Sequence, residues 1–291
     1  MGETILLEAQ PYRRVILHYH IMKNAGTTIE SILAREFDDA FYSVHRRENE
    51  GTIDADAIAD ILAAKPSAVA LTSHHFAFPR PEIPFTSIVD CCPIRHPLDR
   101  LESLHRYLSR IEPVDAVSAL ATNSEAPAFL RTLLERFPNY VQNVQTIAIA
   151  NGTRFRSLSD RDFATADAVV QKSGLHVVVD RLDESLTVGE YFLRPVFAGL
   201  RLHYVSQNIT QERGMTLGER QERLCARLDA TLLQELRAAN EFDMRLYETA
   251  NRELDRRIRL VPSFEKRLAN FRARCAAATP PVAALRAAGN F

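Results

Sequence analysis

Three short stretches of this sequence carry side chains that could bind an anion and move a proton, and each stretch follows an apolar run. These side chains are Lys23 with Gly26 and Thr27, His74 with His75, and Arg95 with Ser103. An ammonium group and a guanidinium fork bind phosphate, and a serine hydroxyl adds a further hydrogen bond. Imidazole titrates near neutral pH and can therefore accept a proton from an alcohol. The combination is typical of a site that binds a phosphorylated ligand and acts on it.

The first stretch combines a lysine with a glycine-containing turn that leads into an amphipathic helix. Gly26 allows a close approach of other atoms that a Cβ would obstruct. Thr27 and Glu30 have the spacing of a capping box, which predicts that the helix begins at Thr27 or Thr28. The unpaired N–H groups of its first turn would lie beside Lys23 and bind an anion. The alternative is a tight strand-to-helix turn with a surface lysine. The residues predicted to bind the phosphate are Lys23, Asn24, Ala25, Gly26, Thr27 and Thr28.

The spacing of this stretch distinguishes it from the nucleotide loop of P-loop NTPases. That loop places its lysine directly after the last glycine, whereas Lys23 precedes Gly26 by three positions. The pattern H-x-x-K-x-A-G-T-[ST] instead resembles the 5′-phosphosulfate loop of the glycan sulfotransferases, in particular the family that includes heparan-sulfate 2-O-sulfotransferase. The matching residues are His20, Lys23, Ala25, Gly26, Thr27 and Thr28. Many members of that family carry proline and threonine where this chain has Met22 and Asn24.

The second stretch consists of His74 and His75 followed by Phe76, directly after the predicted strand Ala68–Ser73. Ligands bind at the carboxyl ends of strands in open α/β sheets. The resembled family has a Gly-His-Phe motif here, with the histidine as general base. The resemblance therefore implies that His75 accepts the proton of an acceptor hydroxyl and that Lys23 is the second catalytic residue. The alternative is a pair of loop histidines bonded to the backbone. We predict no metal site, because adjacent side chains in an extended segment point apart.

The third stretch places Arg95 and Ser103 eight residues apart, about two helical turns. It resembles the family's 3′-phosphate motif, R-D-P-x-x-R-x-x-S, which implies that this pair binds the 3′-phosphate of the donor. His96 stands in place of the motif's aspartate. Pro93 has no N–H for a strand ladder, so the preceding strand is expected to end early. Alternatively, Arg95 is a surface arginine, and the arginines of the following helix belong to a solvated face.

The resemblance continues beyond these motifs and implies an enzyme that uses 3′-phosphoadenosine 5′-phosphosulfate (PAPS) as co-substrate, without a metal. Its weaker matches are Asn139 with Tyr140, Gln142, Gln145, Val177–Leu186, Asn208 and Asn240–Ala250. The implied reaction transfers a sulfuryl group to a hydroxyl of a carbohydrate or glycolipid acceptor. Two alternatives stay open: a P-loop-type nucleotide kinase or NTPase, and a non-catalytic nucleotide- or glycan-binding protein of the same fold.

The elements that would position these side chains indicate an α/β fold. We expect a P-loop-like central parallel sheet flanked by helices, with helical additions in the C-terminal half. Near-continuous apolar runs are typical of strands covered on both faces. The predicted strands are Val15–Ile21, Phe41–Val44, Ala68–Ser73, the run from Ser87 and Val177–Val179. The predicted helices include Asp54–Lys65, Glu125–Phe137 and Asp160–Lys172, the last capped by Ser159.

Length and composition predict one domain over residues 1–262, which the resemblance implies is a sulfotransferase domain, followed by a basic and partly mobile tail over 263–291. A net charge of −1 gives no general attraction to nucleic acid, so none is expected as a partner. No apolar run reaches the ~18 residues of a membrane span. Contact of the tail with an anionic surface is left open, as is the oligomeric state. The N-terminus lacks the pattern of a signal peptide, and the adjacent Cys91 and Cys92 indicate buried packing. These features and the resemblance together suggest a cytoplasmic, soluble bacterial-type member of the family.

Overall fold

The sheet at the centre of the molecule is all-parallel and four-stranded, with the order β2-β3-β1-β4. The computed structural model describes residues 12–44, 51–152, 155–205 and 215–278. The strands are β1 (Arg13–Tyr19), β2 (Phe41–Ser43), β3 (Ala70–Ser73) and β4 (Thr86–Cys91). Helices cover both faces of the sheet, as described below. The predicted α/β fold with a central parallel sheet is therefore confirmed.

Alternate residues of the central strand β1 enter two different hydrophobic clusters. Val15 and Leu17 pack into a cluster on one face of the sheet, whereas Ile16 packs into a cluster on the other. All three side chains are fully buried. This two-sided burial explains why β1 reads as an almost continuous apolar run rather than as an alternating one.

The helices form two layers against the sheet and one separate group. They are α1 (Gly26–Phe37), α2 (Ala55–Ala64), α3 (Pro97–Leu108), α4 (Ala116–Thr122), α5 (Ala126–Arg136), α6 (Val144–Asn151), α7 (Asp160–Lys172), α8 (Leu182–Leu193), α9 (Leu217–Cys225), α10 (Ala230–Ala239), α11 (Glu241–Ile258) and α12 (Phe264–Ala277). Residues of α2, α6, α7 and α11 pack on one face, and residues of α1, α8 and α12 on the other. A third cluster joins α3, α4, α5, α9 and α10. The additions expected in the C-terminal half include α9 and α10 of this group together with α11 and α12, whereas α3, α4 and α5 of the group come from the N-terminal half.

The local signals read from the sequence place several helix ends correctly. Asp54 caps α2 by accepting a hydrogen bond from the N–H of Ala57. Ser159 caps α7, where it forms a capping box with Asp162. Both caps satisfy N–H groups of a first turn that have no partner within the helix.

The predicted strand Val177–Val179 is wrong. The segment after α7 forms only two isolated parallel bridges beside β4, Cys91 to Leu175 and Ile94 to Val178, and then enters a 3-10 turn. Pro93 lies between these two bridges and has no N–H to extend the ladder. As expected, β4 therefore ends before Pro93.

The segment that we expected to be a tail begins with a packed helix. In α12, Phe271 is fully buried in the cluster that covers the α1 face of the sheet. Arg274 of the same helix forms an ion pair of 2.7 Å with Glu190 of α8. Packing thus continues past residue 262, and residues 279–291 lie outside the described part of the chain. The single-domain assignment itself stays a prediction.

Two features bear on the environment of the protein. Cys91 and Cys92 are buried and unbridged, as their apolar surroundings predict, and Cys225 and Cys275 are also free thiols. Within the described ranges, no helix combines the length and apolar character that crossing a membrane requires.

Candidate functional site

The three predicted stretches meet at one edge of the sheet, because β3, β1 and β4 are neighbours and run parallel. The loop after β1 lies between the other two. On one side, Nδ1 of His74 is 2.9 Å from the backbone oxygen of His20. On the other, Nη1 of Arg95 donates to the backbone oxygen of Lys23 at 2.8 Å. The structure therefore brings the lysine, histidine and arginine stretches into direct contact.

The loop after β1 turns sharply through two residues in the left-handed region, Lys23 with a φ of 66° and Ala25 with a φ of 61°. Helix α1 begins at Gly26, one residue before the predicted start. The backbone oxygen of Ala25 accepts hydrogen bonds from the N–H groups of Thr28 and Ile29. The N–H groups of Gly26 and Thr27 come before these bonds, and the first turn of a helix leaves such groups available to an anion.

The predicted capping box of Thr27 and Glu30 is wrong. Ala25 occupies the cap position, and no side chain caps the helix there. The Glu30 carboxylate turns away from the helix start and accepts hydrogen bonds from His20 and Thr72. A carboxylate that is already bound to two other side chains is not available to cap the helix.

Gly26 allows a close approach, as expected, and the group that approaches it is the imidazole ring of His20. A Cβ built on Gly26 would lie 1.9 Å from Nε2 of His20, far inside van der Waals contact. The imidazole ring therefore packs directly on the first residue of α1. A glycine is required here because of this close approach and not because of a positive φ.

Asn24 holds the loop in place through buried hydrogen bonds. It is fully buried, and its Nδ2 donates to the backbone oxygen of Pro93 and to Oε1 of Gln145, at 2.7 Å each. Gln145 in turn bonds to both the N–H and the backbone oxygen of Arg95. Among the residues predicted to bind phosphate, Asn24 thus has its side chain directed into the protein. It ties the lysine loop to the segment after β4.

Lys23 lies in a positively charged environment. Its Nζ is 3.9 Å from the centre of the Tyr107 ring on α3. Burial lowers the pKa of Lys23 to about 8, and the charges of Arg95 and Arg106 act in the same direction. A bound anion would relieve this repulsion, which is the behaviour expected of an anion site.

Arg95 is fixed in place by α3. Its Nε donates to Oδ2 of Asp99 at 2.7 Å, and the Asp99 side chain is only 1% exposed. Burial would raise the pKa of Asp99, but Arg95 and Arg220 outweigh it and lower the pKa to about 2. Asp99, Ser103 and Tyr107 are spaced by four residues and therefore share one face of α3. Ser103 thus lies between the aspartate that holds Arg95 and the tyrosine beneath Lys23.

His75 lines a cavity of about 430 Å³ at the same edge of the sheet. Much of the wall is apolar, from Ile21, Phe76, Val144, Ile147, Ala148 and Phe155. The polar part of the wall is His20, His74, His75, Arg100, Asn139 and Tyr140. Asn139 and Tyr140, which belong to a weaker match of the resemblance, therefore reach the same cavity as His75.

The two adjacent histidines, His74 and His75, differ in their hydrogen bonds. Nδ1 of His74 bonds to the backbone oxygen of His20, which is the alternative that the sequence left open for both rings. His75 donates its backbone N–H to Oγ of Ser73, but its ring Nδ1 is buried and has no hydrogen-bond partner among the described residues. A buried polar atom without a partner is uncommon in folded proteins. Of the two, His75 has the ring that is left to bind a ligand.

The alternative interpretation placed Arg100 on a solvated helix face, but Arg100 is only 1% exposed. Its Nη2 donates to the backbone oxygen of Tyr140 at 2.8 Å, while its Nε is buried without a hydrogen-bond partner in the described ranges. Burial lowers the pKa of Arg100 to about 10, and the charge of Asp243 opposes this. A buried guanidinium therefore forms part of the cavity wall.

Sequence reasoning also missed a hydrogen-bonded chain beneath the loop. Nδ1 of His18 contacts Oγ1 of Thr72 at 2.9 Å, and this hydroxyl donates to Glu30 at 2.9 Å. Glu30 also contacts Nδ1 of His20 at 2.7 Å. The available signal was the i, i+2 spacing of His18 and His20 in an otherwise apolar strand, which places both rings on one face.

Burial and hydrogen bonds set the charges of His18 and Glu30. Burial, together with the nearby charge of His20, lowers the pKa of His18 to about 3, although Glu30 acts in the opposite direction. Burial alone would raise the pKa of Glu30, but hydrogen bonds from His20 and Thr72 and the charge of His20 lower it to about 2. Glu30 is therefore ionised and His18 neutral at physiological pH. Over the described ranges, no group of three or more His, Cys, Asp or Glu side chains could hold a metal ion.

Comparison with known proteins yields one distant similarity. The chain is 22% identical over 242 residues to an uncharacterized protein of Archaeoglobus fulgidus, a match that covers 81% of this chain and 95% of that protein. No family model matches the chain. No solved structure matches it either.

Proposed function

We propose that this protein is a sulfotransferase that uses PAPS to sulfate a hydroxyl of a carbohydrate or glycolipid. One observation carries the proposal: the lysine, histidine and arginine stretches converge at the carboxyl ends of three adjacent parallel strands. Lys23 and Arg95 touch on one side of the β1 loop, and His75 lines a cavity on the other. Open α/β sheets bind ligands at this edge. The residue types there suit a phosphosulfate donor and an alcohol acceptor.

The donor half of the proposed site uses the loop and α3. The N–H groups of the first turn of α1 and the ammonium of Lys23 would hold the 5′-phosphosulfate. Nε of Arg95 donates a hydrogen bond to Asp99, and Nη1 donates one to the backbone oxygen of Lys23. Its third nitrogen, Nη2, and the Ser103 hydroxyl on the adjacent face of α3 would serve the 3′-phosphate. Because Asn24 and Gln145 brace the loop, the two phosphate sites are held at a fixed separation.

The acceptor half uses the cavity. The acceptor oxygen forms a bond to sulfur, while the bond from sulfur to the bridging oxygen breaks and leaves its electron pair on the phosphate. His75 accepts the proton of the acceptor hydroxyl as this bond forms. Lys23 and the N–H groups of α1 stabilise the negative charge that develops on the bridging oxygen. The PAPS co-substrate supplies the activated sulfuryl group, and the residues of the chain supply orientation, charge and the proton acceptor.

The compartment and the partners belong to the same proposal. We place the reaction in the cytoplasm, where thiols such as Cys225 and Cys275 stay reduced. The proposed acceptor is a sugar or glycolipid that enters the cavity, whose partly apolar walls suit the carbon face of a sugar ring. Nucleic acid is not proposed as a partner.

A calorimetric titration of the purified chain tests this function against its alternatives. Adenosine 3′,5′-bisphosphate should bind in the absence of magnesium, because the proposed site has two separate positions for phosphate. ATP that binds only with magnesium would favour a P-loop kinase or NTPase instead. Binding of neither nucleotide would favour a non-catalytic binding protein of the same fold. A screen of sugar and glycolipid acceptors with radiolabelled donor then identifies the substrate.

A further inference from the structure

The hydrogen-bonded chain beneath the β1 loop fixes where the protons of His20 lie. Glu30 is ionised, so its oxygen can only accept hydrogen bonds, and Nδ1 of His20 at 2.7 Å must therefore carry a proton. The Thr72 hydroxyl donates to the same carboxylate. It consequently accepts its hydrogen bond from Nδ1 of His18. Nδ1 of His20 therefore carries a proton and faces Glu30. Nε2 is the ring nitrogen that remains to contact a ligand.

The second nitrogen of His20 lies at the start of α1. The Cδ2–Nε2 edge of the ring packs on Gly26 so closely that it occupies the position of a Cβ. The ring also lines the cavity shared with His74 and His75, and the His20 side chain is only 11% exposed. Nε2 therefore lies between the first turn of α1 and the cavity. The bridging oxygen of the proposed donor would come to the same place.

A carboxylate partner makes His20 suited to carrying a positive charge. Glu30 bonds to Nδ1 and balances the charge of an imidazolium, as the aspartate of a catalytic triad does for its histidine. When protonated, Nε2 becomes a hydrogen-bond donor directed away from Glu30. Charge-assisted donors of this kind form the stronger hydrogen bonds to phosphate and sulfate oxygens.

We propose that His20 is a donor-binding residue whose Nε2–H contacts the 5′-phosphosulfate, and that Glu30 and Thr72 are positioning residues that hold its ring. The proposal rests on the sulfotransferase function and adds a third cationic group beside Lys23 and Arg95. In the transfer step, Nε2–H stabilises the charge on the departing phosphate oxygen, and its proton stays on the imidazole. The acceptor proton goes to His75 as before.

Groups from three surrounding elements set the electrostatic environment of His20. Glu30 of α1 favours the imidazolium, whereas His18 of β1 and His74 after β3 would oppose it if they were charged. His18 stays neutral because burial lowers its pKa to about 3. Glu30 is ionised and bonds directly to the ring, so it stabilises the imidazolium form that the proposed contact needs.

The experiment compares the affinity of His20→Asn and wild type for adenosine 5′-phosphosulfate between about pH 5.5 and pH 7.5. This ligand is chosen because its phosphosulfate has no group that titrates there, unlike phosphate monoesters with a pKa of about 6. The chain contains no tryptophan, so calorimetry is the suitable measurement. We expect His20→Asn to bind about 10- to 150-fold more weakly, the range for a hydrogen bond to a charged group.

Two further variants sharpen the comparison. His74→Asn changes the ring stacked 3.7 Å from His20, and it should bind the ligand within about threefold of wild type because Nδ1 of His74 bonds to backbone. Glu30→Gln removes the balancing charge and keeps a hydrogen-bond acceptor. It should weaken binding less than His20→Asn, and in ¹⁵N-histidine NMR of the ligand-bound variant the Nε2 signal of His20 should lie further from the imidazolium position than in wild type, which a purely structural role of Glu30 would not cause.

The outcomes separate this inference from the function on which it rests. If wild type binds neither adenosine 5′-phosphosulfate nor adenosine 3′,5′-bisphosphate, the proposed function fails, and this inference fails with it. If wild type binds both and His20→Asn matches it in affinity, only the role of His20 is overturned. Should His20→Asn fail to fold, NMR of wild type labelled with ¹⁵N-histidine decides: the ligand must move the Nε2 signal of His20 towards the imidazolium position, and an unchanged signal refutes the contact.

Discussion

Arg95 and Arg100 lie five residues apart around the start of α3, and they represent two differently built halves of the candidate site. Arg95 is ion-paired with Asp99 and bonded to the lysine loop. Arg100 is buried against the cavity with one backbone hydrogen bond and an Nε that has no partner among the described residues. His75 shares this feature, since its Nδ1 is also unpartnered within that part of the chain.

The two halves are therefore expected to bind their ligands in different ways. On the Lys23–Arg95 side, hydrogen bonds and ion pairs hold the groups in place before anything binds, which reduces the entropy lost on binding. On the His75–Arg100 side, two residues of the cavity wall each carry a buried polar atom that has no partner among the described residues, which is a costly arrangement. We therefore expect substitutions on the first side to change affinity for the donor and substitutions on the second to change turnover.

The largest expected effect is on catalysis. His75→Ala should lower kcat by about 10²- to 10⁴-fold, the usual contribution of a positioned proton acceptor, and leave donor affinity nearly intact. Steady-state kinetics, with donor binding measured by calorimetry, provide the test.

His74→Ala is the matched control for this prediction, because Nδ1 of His74 bonds to backbone. Its turnover should stay within a few-fold of wild type. If His74→Ala abolishes turnover and His75→Ala does not, the two histidines have the opposite roles. Near-normal turnover in a folded His75→Ala that binds donor would exclude the mechanism but leave the donor site intact.

The next effect separates the two phosphate sites. Arg95→Ala should weaken binding of adenosine 3′,5′-bisphosphate by about 10- to 150-fold, the range for a charge-assisted contact. Binding of adenosine 5′-phosphosulfate, which has no 3′-phosphate, should fall less. Some loss is expected there too, because Arg95 also holds the backbone oxygen of Lys23. Ser103→Ala provides a milder variant at the same phosphate, and calorimetry with both ligands measures all four affinities. Equal losses for the two ligands would remove Arg95 from the 3′-phosphate site.

A smaller effect should follow from the charge of Lys23. Its pKa is lowered to about 8, so the free protein loses this positive charge as pH rises through 8. The protonated form is the one that binds an anion, and donor affinity should therefore fall by up to about tenfold per pH unit above 8. Lys23→Met should bind more weakly at pH 7 and show no such fall. Calorimetry between about pH 7 and pH 9.5 checks this, and a wild-type affinity that stays constant over that range would place Lys23 away from the ligand.

The smallest expected effect is on stability and compares the two arginines directly. Arg100→Met removes a buried charge that lacks an ion pair in the described ranges, so the free energy of unfolding should stay within about 1 kcal/mol of wild type or rise. Arg95→Met should lower it by about 1–3 kcal/mol, because buried Asp99 loses one of its two cations. Urea unfolding measures both. A loss above about 3 kcal/mol for Arg100→Met would show that Arg100 is as firmly paired as Arg95.

Sequence alone determined the features that depend on local pattern. The apolar runs predicted the strands β1, β3 and β4, because strands covered by helices on both faces need apolar side chains on both faces. The parallel sheet then implied that polar residues after these strands would meet at one edge. Short-range signals also predicted the cap at Ser159 and the end of β4 before Pro93.

Only the tertiary structure decided which partner each polar side chain takes. The spacing of Thr27 and Glu30 fits a capping box, but His20 and Thr72 from β1 and β3 take the carboxylate. Arg100 lies in a helix whose charged residues suggested a solvated face, yet α11 and the segment around Tyr140 leave it only 1% exposed. Local sequence cannot report such contacts, because the residues that make them come from distant parts of the chain.

His74 and His75 also show the difference between what the sequence predicts and what only the fold decides. Sequence placed His74 and His75 in one loop after β3 and could distinguish them only by a resemblance. The folded chain distinguishes them physically, since the backbone oxygen of His20 takes Nδ1 of His74 and leaves Nδ1 of His75 unpartnered in the described ranges. A residue's type determines which hydrogen bonds its side chain can make, but the packing of the strands determines which of those bonds are already made.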